Sequence, residues 1–97
     1  MKLGKKIKEL RESKGLLQRQ LSAHLDIDSP MYSKIERGER KAKPEQIQKI
    51  AQLLKVDTNE LYALWLADRV LDIVKNEKLA LQALDIATKE IKENPNE

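Results

Sequence analysis

The stretch LLQRQLSAHLDIDSPMYSKIERGERKAKP, Leu16 to Pro44, decides how the chain is read. Leu21 and Leu25 stand one helical turn apart, and Tyr32 and Ile35 do the same after an interruption at Asp26–Pro30. Gly38 can end the second run by taking a left-handed backbone conformation, so each run makes a helix of about two turns. Beyond that glycine Arg40, Lys41 and Lys43 follow in quick succession.

Working outward, the same periodicity continues on both sides. Leu3, Ile7 and Leu10 share one face of a first helix, which Gly15 can end. Pro44 opens a fourth helix at its first position, where a missing N–H costs nothing, and Ile47, Ile50, Ala51 and Leu54 form its apolar stripe. A fifth helix is predicted to start at VDTNEL, with Asp57 accepting from backbone N–H groups and Glu60 reaching back to complete a capping box. From Leu61 to Val74 the apolar residues fall on two adjoining stripes, one through Leu61, Leu64, Ala67, Leu71 and Val74, the other through Tyr62, Trp65, Leu66, Val70 and Ile73. One small core cannot use both. Ala80, Leu84, Ala87 and Ile91 mark a sixth helix, and residues 94–97 read as a frayed tail. The expectation is an all-α fold with no internal repeat.

Ninety-seven residues without a long polar linker make one domain. The absence of cysteine excludes a disulfide framework and a thiolate metal site. The longest apolar run, LYALWLA, is seven residues, against the roughly 20 that span a bilayer. No signal peptide is legible at the start, so a soluble cytoplasmic protein is expected. The net charge of +3 is unevenly spread: residues 1–50 carry 13 Lys/Arg against 7 Asp/Glu, whereas residues 51–97 carry 6 against 9. A basic first half suits a polyanionic partner, and the acidic second half would be repelled by it.

Counted from Gln18, apolar residues occupy positions 4, 8, 10, 15 and 18, with small Ser22 at position 5. This is the pattern of a helix-turn-helix. More specifically, LLQRQLSAHLDI followed by YSKIERGERK resembles the DNA-binding domain shared by phage repressors, Cro proteins and the xenobiotic-response-element-like bacterial regulators. The resemblance runs from Leu3 to about Tyr62. It implies a lambda-repressor-like five-helix DNA-binding domain over residues 1–61; the surplus apolar face between Leu61 and Val74 makes 62–93 C-terminal helices, continuous with it, that are expected to serve dimerisation. Two positions depart from the family pattern. Leu17 stands where Ser or Thr usually caps the second helix, forgoing about 1 kcal/mol, and Asp26 replaces the usual turn glycine. Gln20 keeps its reciprocal capping role, and aspartate tolerates positive φ better than most side chains.

In that family the third helix lies in the major groove, so the base-reading residues implied are Ser29, Pro30, Ser33 and Lys34. Proline disfavours α geometry in the residue before it, which argues for Ser29 as the cap, whereas the family alignment caps with Asp28. Pro30 cannot donate a hydrogen bond, leaving it apolar contact with a thymine methyl. Lys34 is the candidate donor to guanine O6 or N7, its alternative being a phosphate contact. Gln18 and Arg19 at the start of the second helix, with Arg40, Lys41 and Lys43 after the third, are placed to neutralise phosphates. Arg11 and Glu36 are implied as a partly buried structural ion pair.

An enzyme reading has little support. His24 is the single histidine and lacks the partners a zinc site or a catalytic triad needs, while turn and cap chemistry accounts for Asp26 and Asp28. No catalytic residue, cofactor, metal or small-molecule ligand is implied. The function expected is a sequence-specific double-stranded-DNA-binding transcriptional regulator. It would act as a homodimer on a palindromic operator, autoregulate its own gene, and resemble the controller proteins of restriction-modification systems. Trp65, Leu66, Val70 and Ile73 form the expected dimer interface. The rival expectation is an antitoxin-like interaction module whose C-terminal helices hold a different protein.

Overall fold

Apolar spacing predicts six helices, and six form in the computed structural model, which describes residues 2–94: α1 (Lys2–Ser13), α2 (Gln18–Leu25), α3 (Ser29–Glu36), α4 (Pro44–Leu54), α5 (Thr58–Val74) and α6 (Ala80–Glu93). No strand occurs among the described residues. Pro44 is the first residue of α4, Gly15 and Gly38 adopt φ of 68° and 76°, and Asp26 sits at φ 58°. Of the tail expected to fray, residues 95–97 lie outside the described part, while the Asn94 N–H donates to the Glu90 carbonyl at 2.9 Å.

The inward residues of α1 to α5 build one core. Ile7, Leu21, Tyr32, Ile47, Ile50, Leu54 and Leu61 are all fully buried, and Leu3, Leu25, Ile35 and Ala51 nearly so. At about 1.5–3 kcal/mol for each large side chain, this burial is the main stabilising term. Helix α1 packs on α3 and α5, α2 on α3 and α4, and α4 on α5. Gly4 lets α1 approach the end of α3, since a Cβ there would stand 2.7 Å from the Ile35 carbonyl oxygen and closer still to that of Glu36.

Two expectations about α5 change. Asp57 caps it by accepting from the Asn59 N–H at 2.9 Å, but Glu60 does not reach back. Its carboxylate lies 4.0 Å from the Lys6 ammonium on α1, and no capping box forms. The boundary at Leu61 also passes through packed core. Trp65 is 8% exposed and donates its indole N–H to the Ala42 carbonyl at 2.7 Å. One turn on, buried Asp68 accepts from the backbone N–H groups of Lys2 and Leu3, both at 2.9 Å, an anion at the positive end of α1. The core therefore extends to about Asp68.

Beyond Asp68 the packing stops. No residue of α6 is buried. The radius of gyration is 15.4 Å, against about 12.5 Å for a compact chain of this length, and the longest dimension is 42 Å.

Candidate nucleic-acid interface

Helix α2 starts without a side-chain cap at Leu17, whose backbone N–H donates instead to the Gln20 amide oxygen at 2.7 Å. It ends at Asp26 in the left-handed conformation, with the Ile27 N–H reaching back to the Ser22 carbonyl at 3.0 Å. The two bonds and the partly buried Ile27 fix how α3 leaves the turn.

Helix α3 is capped by Asp28, not Ser29. The Asp28 carboxylate accepts from the Met31 N–H at 2.7 Å, which puts Ser29 first and Pro30 second in the helix. A charge-assisted bond at the helix N-terminus outweighs the steric preference of a pre-proline residue, and the second helical position needs no N–H. The Ser29 hydroxyl is 3.2 Å from that of Ser22, tying the start of α3 to α2.

On the outward side of α3, Pro30 and Lys34 are exposed and Met31 and Ser33 half-buried, while Tyr32 is fully buried. The Ser33 hydroxyl accepts from Arg37 Nη1 at 2.5 Å, and Arg37 also pairs with Glu39. The Arg37 hydrogen bond holds the Glu39 carboxyl below its ordinary range. Arg37 is a second cation on this side that spacing arguments passed over; its separation of four residues from Ser33 was the available signal.

Behind α3 lies a buried polar network. Arg11 Nε and Nη2 donate to the two oxygens of Glu36 at 2.7 and 3.1 Å, and Arg11 Nη1 donates to the Leu16 carbonyl at 2.9 Å. Tyr32 Oη donates to Glu36 at 2.6 Å, and Gln18 Nε2 donates to the other Glu36 oxygen at 3.1 Å. Burial pushes the Glu36 carboxyl up, but hydrogen bonds from Arg11, Tyr32 and Gln18 outweigh it and hold the group below its ordinary value. Burial and the bond to Glu36 push the Tyr32 phenol far up. The Gln18 amide is thus committed inward, leaving backbone N–H groups at the α2 terminus to face an anion.

After Gly38 the loop is pinned by buried Ala42 and its bond from Trp65. Arg40, Lys41 and Lys43 stay exposed on either side of that anchor, as does Arg19 on α2. Lys41 Nζ lies 2.9 Å from Asp72 on α5, which Lys75 also approaches at 3.6 Å. Of the four residues expected at a dimer contact, Trp65 belongs to the core, with Arg69 stacked 4.6 Å above its ring. Leu66, Val70 and Ile73 are 44%, 40% and 76% exposed. No helix among the described residues is long and apolar enough to cross a membrane.

A short helix with one exposed face, set on a tight turn and followed by Arg37, Arg40, Lys41 and Lys43, is the arrangement of a helix-turn-helix DNA-binding regulator. Residues 7–61 match the helix-turn-helix family, and the chain belongs to it. It is also similar to Control protein C.MunI of Mycoplasma sp, with 34% identity over 64 residues, 65% of this chain and 86% of that relative. No solved structure matches the chain.

Proposed function

We propose that this DNA-binding regulator acts as a homodimer on a palindromic operator overlapping its own promoter, as a controller of a restriction-modification system. The observation that carries the reading is the apolar outer face of α5, Leu66, Val70 and Ile73, on the helix whose inner face anchors the loop after α3. A contiguous apolar face of this kind calls for cover. A symmetric pair covers it with its own copy, and the same two-fold axis sets two α3 helices about 34 Å apart, one turn of B-DNA. The similarity to a protein named as a control protein supports the restriction-modification setting.

In this reading Ser29, Pro30, Ser33 and Lys34 face base edges, with Lys34 the main donor to guanine. Arg19, Arg40, Lys41 and Lys43, with the α2 terminus at Gln18, fix the register on phosphates. Binding to a duplex carrying the sequence upstream of the gene tests the proposal. Log affinity against log salt should fall with a slope of roughly −5 to −9 for about 6 to 10 phosphate contacts. A flat slope, or equal affinity for the upstream sequence and random duplex, would overturn it. The rival, a protein-interaction module, predicts a monomer that binds DNA weakly.

A further inference from the structure

On helix α6 the apolar stripe of Leu84, Ala87 and Ile91 holds no buried residue: Leu84 is half-buried and Ile91 is 67% exposed. Leu81 and Ile86, on its flanks, are 83% and 60% exposed. In the same chain the α5 face of Leu66, Val70 and Ile73 is equally bare. Only residues 75–79 separate the two helices. Closing so short a connection costs little entropy, so α6 would lie on its own α5 if the turn geometry brought the faces together. It does not, and a helix of 14 residues gains too little from backbone propensity to stand alone in water.

The uncovered area has a size. The chain exposes 7014 Å². A compact monomer of 11.2 kDa exposes about 5,700 Å². The excess is more than about 1,000 Å² per chain, above the roughly 800 Å² per partner of a standard interface and within the obligate-dimer range. A single stripe on α5 does not supply that area; α5 and α6 together do.

We infer that α6 is an exchanged arm: in the paired molecule each α6 lays its Leu84, Ala87 and Ile91 side over the Leu66, Val70 and Ile73 face of the other copy. The inference rests on the homodimer reading and adds to it where α6 goes. A second copy is the one occupant that presents a bare α5 face and lacks cover for its own α6, so a two-fold exchange satisfies both chains with the same contact. The side of α6 left to solvent then carries Asp85 and Lys89, already paired at 3.2 Å.

The chain has no cysteine, so introduced thiols report alone. Full-length chains of one tag length carry Leu66→Cys, Val70→Cys or Ile73→Cys, and chains of a second tag length carry Leu84→Cys, Ala87→Cys or Ile91→Cys. The two sets are mixed and oxidised, and light scattering gives the mass of the unmodified protein. The expected result is a dimer mass and, for at least one of the pairings, a disulfide joining chains of different tag length. The same two cysteines placed in one chain should then give a covalent dimer. A dimer mass with cross-links confined to single chains, or with none, overturns the exchange and leaves the homodimer standing. A monomer at micromolar concentration overturns both.

Discussion

Helices α2 and α3 have eight residues each and α5 and α6 have seventeen and fourteen, yet the short pair is the better buried. Leu21, Leu25, Tyr32 and Ile35 are at most 5% exposed, whereas Leu66, Ile73, Leu81 and Ile91 run from 44% to 83%. Residue type does not separate the two groups. What separates them is whether the chain itself supplies the opposing surface. The inner faces of the helix-turn-helix are closed by α1 and α4, whereas the outer face of α5 and the whole of α6 meet no opposing surface among the described residues.

The largest effect expected on the closed side is at Glu36. Its carboxylate is the shared acceptor for Arg11, Tyr32 and Gln18, so Glu36→Ala leaves a buried guanidinium unpaired and should cost about 3 to 5 kcal/mol in urea unfolding. Because the folded group titrates below its ordinary 4.5, its contribution is fully present above that value and is lost as pH falls through the lower folded pKa. An acid limb of unfolding that survives in Glu36→Gln, or a loss under about 1 kcal/mol in Glu36→Ala, would show that the network is not closed to water.

The open side should respond differently. Leu66→Glu puts a charge on the outer face of α5, which leaves the core intact but, in the proposed homodimer, would bury an unpaired carboxylate against the apolar surface of the other copy. Operator affinity is expected to fall by about two orders of magnitude, because two half-sites bound independently lose the gain of linkage. Stability should lose its dependence on protein concentration. If Leu66→Glu instead unfolds the chain at every concentration, the division into a closed and an open region is wrong.

How much of this was legible depends on distance along the chain. Helix number, the αL turn at Asp26, Pro44 as a first helical residue and the inward stripes follow from neighbours within four residues, and all stand in the structure. What was missed came from partners far away. Trp65 was assigned to an interface because the stripe of α5 does not say that the carbonyl of Ala42, 23 residues earlier, waits for its N–H. Asp68 drew no attention in an apolar helix, though its partners are the first backbone N–H groups of α1, more than sixty residues away. A lone acid between Ala67 and Val70 was the signal. Gly4 was another, since a glycine inside a helix costs about 1 kcal/mol against alanine unless something approaches closely. The cap of α3 stood open between Ser29 and Asp28 because a steric rule and a carboxylate pointed to different residues, and the carboxylate takes it.

Lys34 sharpens the comparison at the DNA face. Its side chain makes no hydrogen bond among the described residues, unlike Arg37 and Lys41, so the proposed base contact would not require it to break one first. Lys34→Ala should cost about 1 to 3 kcal/mol on the operator and much less on random duplex. Equal losses on both would make it a phosphate contact.

The smallest effect is expected where the two regions touch, at Lys41 and Asp72. The hydrogen bond from Lys41 holds the Asp72 carboxyl below its ordinary 3.8. If Lys41 neutralises a phosphate as proposed, it must first release that carboxylate, and Asp72 then competes with DNA for it. Asp72→Asn should therefore raise affinity a few-fold, equally on operator and on random duplex because phosphates carry no sequence, and the gain should shrink as salt screens it. The melting temperature should hardly move, since an exposed pair contributes little to folding. A fall in affinity would reverse the assignment: Asp72 would then be holding Lys41 in the position from which it meets the phosphate, and the open region would be shaping the DNA contact rather than competing with it.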